Sequence, residues 1–324
     1  MITRRDVAEH AGVSKTTVSR VLNNNGYVSP ENRERVEESI RLLGYRPNLI
    51  ARSLKTKQTK QLLFYAPELT NPFYIEVYHG MEDYAEEQGY TIVVSSRYDH
   101  RVIEQRQFDG IILSNVSPEQ QKEYSDLDIP TVVTNYSSHA LSIPYAGIDI
   151  EEGALNAMKH LAGCGHKRIA FISNVPSDDD QRLQGYKKSL ESANLAYDPR
   201  MMVVDAGKGT AYHQGYRAAE RLIQARTGAT AVFSFNDAMA IGALSAFSER
   251  GIDVPDDISV MGFDDILQSG FTDPPLSTVR MPKYQLGRES ARMLIEMING
   301  KKVQPVVLKT GLLIRKSTTN IFIK

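Results

Sequence analysis

Apolar positions recur with two different spacings along this chain, and the change of spacing divides it. Through the first 45 residues the spacing is helical. Val7, Ala8 and Ala11 share one face, Val18, Val21 and Leu22 a second, and Val36, Ile40 and Leu43 a third. Each helix carries its own punctuation. Thr3 with Asp6 three positions on reads as a capping box, and Gly12 breaks the first helix. Val13 plugs the turn, Ser14 caps the second helix, Ser29 and Pro30 open the third, and Gly44 ends it. From Gln61 onward, short apolar runs alternate with helical stretches. LLFYA, TIVVSS, FDGIILS, TVVTN and AGI are predicted strands of one group; RIAFIS, MMVV, TAVFSF and ISVMGF belong to another. Between them the spacing predicts helices over 75–88 and 182–194, and a late helix with Gly287, Ala291, Leu294 and Ile298 in phase. Alternating strands and helices imply parallel sheets covered on both faces. The fold class is α/β: a three-helix head followed by a body of two Rossmann-like halves.

Charge sharpens the division. Residues 1–60 hold 12 Lys and Arg against 6 Asp and Glu, a balance of +6, while the rest carries −7 and the whole −1. A basic head on an acidic body suits a nucleic-acid module joined to a domain with other business. Two short helices separated by a glycine-bearing turn are the pattern of a DNA-binding helix-turn-helix. Lys15, Thr16 and Thr17 lie at the N-terminus of the second helix, where the macrodipole favours phosphate and recognition helices meet base edges. Arg20 has the donor fork that pairs with guanine in the major groove.

Residues 47–59 read as a separate hinge. Asn48 can cap a helix running to Leu54, with Pro47 separating it from what precedes. So short a helix is unstable alone, since ~12–15 residues are already marginal in water; it is expected to form when two copies pack together on DNA. The expected organisation is a head over 1–46, a hinge over 47–59 and a body over 60–324. The body's first half would span about 60–160 plus 282–308 and its second about 161–281 plus 309–324.

The opening MITRRDVAEH shows no signal-peptide pattern, and no apolar run is long enough to span a bilayer. The single Cys164 excludes an internal disulfide and suits a reducing compartment, so a cytoplasmic location is expected, with no membrane contact. Catalytic and metal signals fail on spacing. AGKGTA lacks the phosphate-loop pattern, and there is neither an HExxH pair nor a GxSxG elbow. Asp178, Asp179 and Asp180 are consecutive, so they point apart and begin the following helix instead of holding a metal. Neither catalysis, a cofactor nor a metal is expected.

In the body, polar residues gather at strand carboxyl ends, where ligands of such sheets sit: Asn71, Asn135, Asn174, Asn236, Asp237 and Asp264. Arg182, opening a helix, and the rings of Phe73 and Tyr74 complete an inventory suited to a sugar or another polyhydroxylated molecule. Asp264 and Asp265 are assigned to capping the next helix and left out of the site.

The stretch DVAEHAGVSKTTVSRVLNNNGYVSPENRERVEESIRLLGYRPNLIARSL resembles the head of the lactose-repressor/galactose-repressor family. The likeness continues through NPFY, FDGIIL, GIDIEEGA, GHKRIAFIS, FSFNDAMAIGAL, VPDDISVMGFDD and PPLSTVRMP. It implies a transcription regulator, expected to be a repressor, with a periplasmic-binding-protein-like clamshell body, acting as a homodimer on a palindromic operator and answering to a small-molecule effector. Lys15, Thr16 and Arg20 match base-reading positions, and Tyr27 one that touches the operator from the following loop. Leu54 matches a wedge that enters the minor groove. Arg182 and Asp237 match effector-binding positions, and Phe73 and Tyr74 first-loop contacts. Asn135, Thr210 and Met281 depart from the family's Asp, aromatic and Gln, and the crossing over 97–106 is shorter than usual. The alternative reading is a catabolite-control regulator signalled by a phosphocarrier protein.

Overall fold

The computed structural model describes residues 2–22, 25–45, 58–97, 107–114, 128–134, 143–178 and 180–321. The chain divides into two compact units, Met1–Thr59 and Lys60–Lys324. The first contains α1 (Arg4–Ala11), α2 (Lys15–Leu22) and α3 (Pro30–Leu43). The capping signals act as read. Thr3 and Asp6 close a reciprocal box, Gly12 takes the left-handed φ of 64° that ends α1, and Ser29 caps α3 ahead of Pro30. Val7, Ala8, Ala11, Val18, Val21, Val36 and Tyr45 meet in one small core. Residues 46–57 lie outside the described residues, and with them nearly all of the proposed hinge, including Asn48 and Leu54.

The body holds two six-stranded sheets. The first takes β1 (Gln61–Tyr65), β2 (Thr91–Ser95), β3 (Gly110–Ser114), β4 (Thr131–Thr134), β5 (Tyr145–Ile148) and β11 (Val306–Leu308), in the order β11-β5-β4-β3-β1-β2. The second takes β6 (Ile169–Ser173), β7 (Met202–Val204), β8 (Ala231–Ser234), β9 (Ser259–Asp264), β10 (Ser277–Arg280) and β12 (Gly311–Leu313), in the order β12-β10-β9-β8-β6-β7. Pairing is parallel apart from β12 on β10. In both sheets the strand order turns back at the same place, between the first and third strands, which is where doubly wound sheets bind ligands.

Helices α4 (Pro72–Glu87), α5 (Ile150–Gly163), α6 (Gln181–Ser192), α7 (Ala211–Gln224), α8 (Asp237–Glu249) and α9 (Lys283–Ile298) cover the sheets. α4 begins three residues before its apolar stripe suggests, because Asn71 caps it and Pro72 suits its first turn. α5 corrects the expected boundary. It packs on α6, β8, β10 and β12, burying Ala154, Ala157, Met158 and Leu161 there, so the first half ends near Ile148 and not near 160. The late helix α9 returns to the first sheet, against β3, β4 and β5. Among the described residues no helix is long and apolar enough to cross a membrane.

Two helix pairs approach at glycine. Any side chain at Gly80 or Gly287 would enter the backbone of the opposite helix in the α4–α9 pair, at Tyr284 and Val77 respectively. Gly215 and Gly242 do the same between α7 and α8. Gly287→Ala should therefore force the α4–α9 pair apart and destabilise the body by roughly 1–3 kcal/mol. A lower urea midpoint of the body transition would show it; an unchanged midpoint would mean the pair yields without strain.

Candidate functional site

In the head, Val18 and Val21 turn α2 inward, leaving Lys15, Thr16 and Arg20 exposed on its other side. Thr17 is half-buried and its hydroxyl is paired with that of Ser14, so it supports the helix start as much as the outer surface. Tyr27, 83% exposed, stands in the loop before α3. This unit therefore presents a cation at each end of one short helix, with an aromatic ring in the loop that follows.

In the body, Asn71 caps α4, accepting from the Phe73 N–H at 3.0 Å, and so places Phe73 and Tyr74 just beyond the carboxyl end of β1. Their rings are buried and meet edge-on, 5.3 Å apart. Asp180 caps α6 by accepting from the Arg182 and Leu183 N–H groups. The Arg182 guanidinium is then sandwiched against the rings of Phe235 and Phe263, at 4.3 and 4.5 Å. Asp264 lies 3.7 Å from it and the Asp180 carboxylate 3.8 Å, both beyond hydrogen-bond reach. Its Nε is buried with no partner.

Asp264 is the residue sequence reasoning missed. Neither it nor Asp265 caps a helix: the short 3-10 turn Leu267–Gly270 that follows has no side-chain cap. Asp264 and Asp265 instead adopt φ of 116° and 56°, a conformation unusual for side-chain-bearing residues and concentrated at functional sites. Burial pushes the Asp264 carboxyl up to about 7, with Arg182 pulling the other way. The signal available was the paired aspartates at the carboxyl end of a strand. Burial also raises the Tyr74 phenol, opposed by the Ser114 hydroxyl; Glu68 and Asp264 add to the rise, and Arg182 opposes it. Tyr74 of the first half thus lies within electrostatic range of the Arg182–Asp264 pair of the second.

Asp237 behaves differently from its assignment as an effector ligand. It is wholly buried, and its carboxylate accepts from the Ile266 N–H at 2.9 Å, the Ser269 hydroxyl at 2.6 Å and the Thr278 hydroxyl at 2.5 Å. Gly262 has no side chain because one would strike this carboxylate. Asp237 is a brace for the turn after β9, not a group open to a ligand. Burial pushes it up to about 6 despite these bonds. Asn236 is buried and spends its carbonyl oxygen on the Met239 N–H, capping α8. Asn135 lies outside the described residues. Thr210 stands at the start of α7 with its hydroxyl on His213, and Met281 is buried. Among the described residues, no group of three or more His, Cys, Asp or Glu is placed to hold a metal ion.

Residues 3–48 match the family described as bacterial regulatory proteins, lacI family, and residues 158–318 match the periplasmic binding protein-like domain. The chain is 34% identical to catabolite control protein A of Priestia megaterium, over 95% of this chain and 96% of that one. Its structure resembles the lac repressor dimer bound to operator and the anti-inducer ONPF, with a TM-score of 0.85 and 28% identity, over 98% of this chain and 99% of that one. It also resembles a complex of the transcriptional regulator CelR with cellobiose, with a TM-score of 0.71 and 30% identity, over 98% of this chain and all of the other.

The raised carboxyls give a pH signature with a definite sign. Burial raises Asp237 to about 6 and Asp264 to about 7, so between the unfolded value of 3.8 and these values the folded protein binds protons that the unfolded chain has released. Over the interval between the unfolded and folded values, stability contributed by these groups falls as pH rises, by up to roughly 1.4 kcal/mol per pH unit for each. Asp264→Asn should flatten the decline between about pH 4 and pH 7 relative to the parent. Parallel stability–pH curves from urea titrations would show that Asp264 is ionised in both states.

Proposed function

This chain belongs to the lacI family of bacterial regulatory proteins, and we propose that it is a repressor whose operator affinity is set by a polyhydroxylated effector, a sugar or its like, in the body's cleft. The observation that carries the effector reading is the Arg182–Asp264 pair. A buried donor and acceptor 3.7 Å apart, with the Arg182 Nε unbonded, fit neighbouring hydroxyls, one accepting from the guanidinium and the other donating to the carboxylate. Phe73, Tyr74 and the amide of Asn236 would frame the same ligand; Asn135 remains a candidate by its place after β4. The cellobiose complex of the CelR regulator supports this ligand class.

Lys15, Thr16 and Arg20 would read the operator, with Thr17 at the helix start, Tyr27 beside them, and Asn48 and Leu54 in the hinge. Operator recognition would take a second copy of the chain, the two together reading a palindrome; the lac repressor that it resembles is bound to its operator as a dimer. Leu267 and Phe271, 73% and 83% exposed on the turn after β9, offer an apolar face for that copy. Such a regulator would work in the cytoplasm, beside its operator. A second reading makes a phosphocarrier protein the main signal; the likeness to catabolite control protein A is consistent with a catabolite-control type of regulator.

Two outcomes test this. Thermal unfolding against a panel of sugars and sugar phosphates should reveal a ligand that stabilises by about 2.7 kcal/mol at a hundred times its Kd, an effect lost in Arg182→Ala. A silent panel, with tight binding of a phosphorylated carrier, favours the second reading. Arg20→Ala should weaken operator binding by roughly 1–3 kcal/mol and relax one base position in each half-site. Equal losses on operator and random DNA would reduce Arg20 to a backbone contact.

A further inference from the structure

Lys283 is the first residue of α9, directly after the chain crosses from the second sheet to the first, and its side chain is only 2% exposed. Two costs weigh against a lysine there. A buried ammonium is expensive unless every hydrogen is bonded. A cation at a helix N-terminus also opposes the macrodipole. Here the ammonium has close partners on every side that the structure describes. Nζ donates to the backbone carbonyls of Asp264 and Asp265, at 2.7 and 2.6 Å, and forms an ion pair with the Glu76 carboxylate at 3.1 Å.

Those acceptors come from both halves of the body. Glu76 lies in α4, which α9 packs against on the first sheet. Asp264 and Asp265 end the second half's β9 and begin its turn, and their positive φ values accompany the convergence of two carbonyls on one ammonium. Their carboxylates are engaged separately. Asp264 faces Arg182, whereas Asp265 is held by Arg280 and Arg315 at 2.7 Å each. The carbonyl of Asp264 is therefore tied to the first half while its carboxylate stays on the second half's cleft wall.

We propose that Lys283 is a positioning residue that fastens the β9 turn of the second half to α4 and α9 of the first, so that cleft geometry and the placement of Asp264 are set together. Coupling to an effector rests on the cleft reading above; the tie itself does not. A ligand drawing on the Asp264 carboxylate then acts on a backbone already bonded across the halves, which gives occupancy a direct route to the angle between them.

The test needs no ligand, so its failure is distinct from failure of the effector reading. In full-length protein with Cys164→Ser, nitroxides on Leu69→Cys and Lys208→Cys report the distance across the two halves by pulsed electron resonance. Lys283→Met keeps the length of the stem and removes the donors; it should shift the distance distribution to longer values and broaden it. Glu76→Gln removes the compensating charge and should do the same to a smaller extent. A lysine that only stabilises the fold would lower the urea midpoint and leave the folded protein's distances unchanged. Parent-like distributions in both variants, with native circular dichroism, overturn the proposal; should Lys283→Met not fold, a parent-like Glu76→Gln does so alone.

Discussion

Charge is buried at the carboxyl end of β9, and the way it is compensated organises the body around it. Three aspartates meet there, and each is answered from a different element. Asp237 on α8 is bonded to the turn and to β10. Asp265 is clamped by Arg280 at the end of β10 and by Arg315 beyond β12, strongly enough that its carboxyl falls below the ordinary value although burial alone would raise it. The Asp264 carboxylate faces Arg182 at a distance too long for a hydrogen bond. Removing one partner of a buried charge costs roughly 3–5 kcal/mol where the pair is tight. The turn is thus fixed by the well-paired carboxylates and presents the poorly paired one. Positive φ at Asp264 and Asp265 persists because the surroundings over-determine it.

The two halves reach their shared cleft by the same route. In each sheet the strand order turns back at its first strand, and a capped helix N-terminus lies beside that turning point, Asn71 leading α4 and Asp180 leading α6. Close glycine contacts seat one helix pair on each sheet. In the proposed site the first half would supply aromatic rings and the second the guanidinium and carboxylate, so neither half alone would make it. A ligand bridging them would be sensitive to their separation, which is the property a sensor domain needs.

Local signals in the sequence survived folding best. The Thr3–Asp6 box, the Ser29–Pro30 start and the glycine at Gly12 depend on a few neighbouring residues, and the structure realises all of them. Strands and helices of the body followed from apolar spacing for the same reason. Allegiance was harder to read. The stripe of α5 says that it is buried but not against which sheet. The choice between Asp237 and Asp264 was harder still, because both are aspartates at strand ends. What separates them is the direction of each side chain, set by Ser269, Thr278 and Gly262 in one case and by Arg182 in the other. Lys283 carried no signal beyond its type, since its acceptors are two backbone carbonyls and a residue over two hundred positions away.

In the proposed mechanism the Arg182–Asp264 pair is the point through which a bound effector changes operator affinity. The direct measurement is a fluorescence titration of labelled operator, with and without the stabilising sugar, for the parent and for Asp264→Asn. Asp264→Asn should bind operator as the parent does in the absence of ligand and show no shift when the sugar is added. An Asp264→Asn variant whose operator affinity still moves with the sugar as the parent's does would place the controlling site elsewhere.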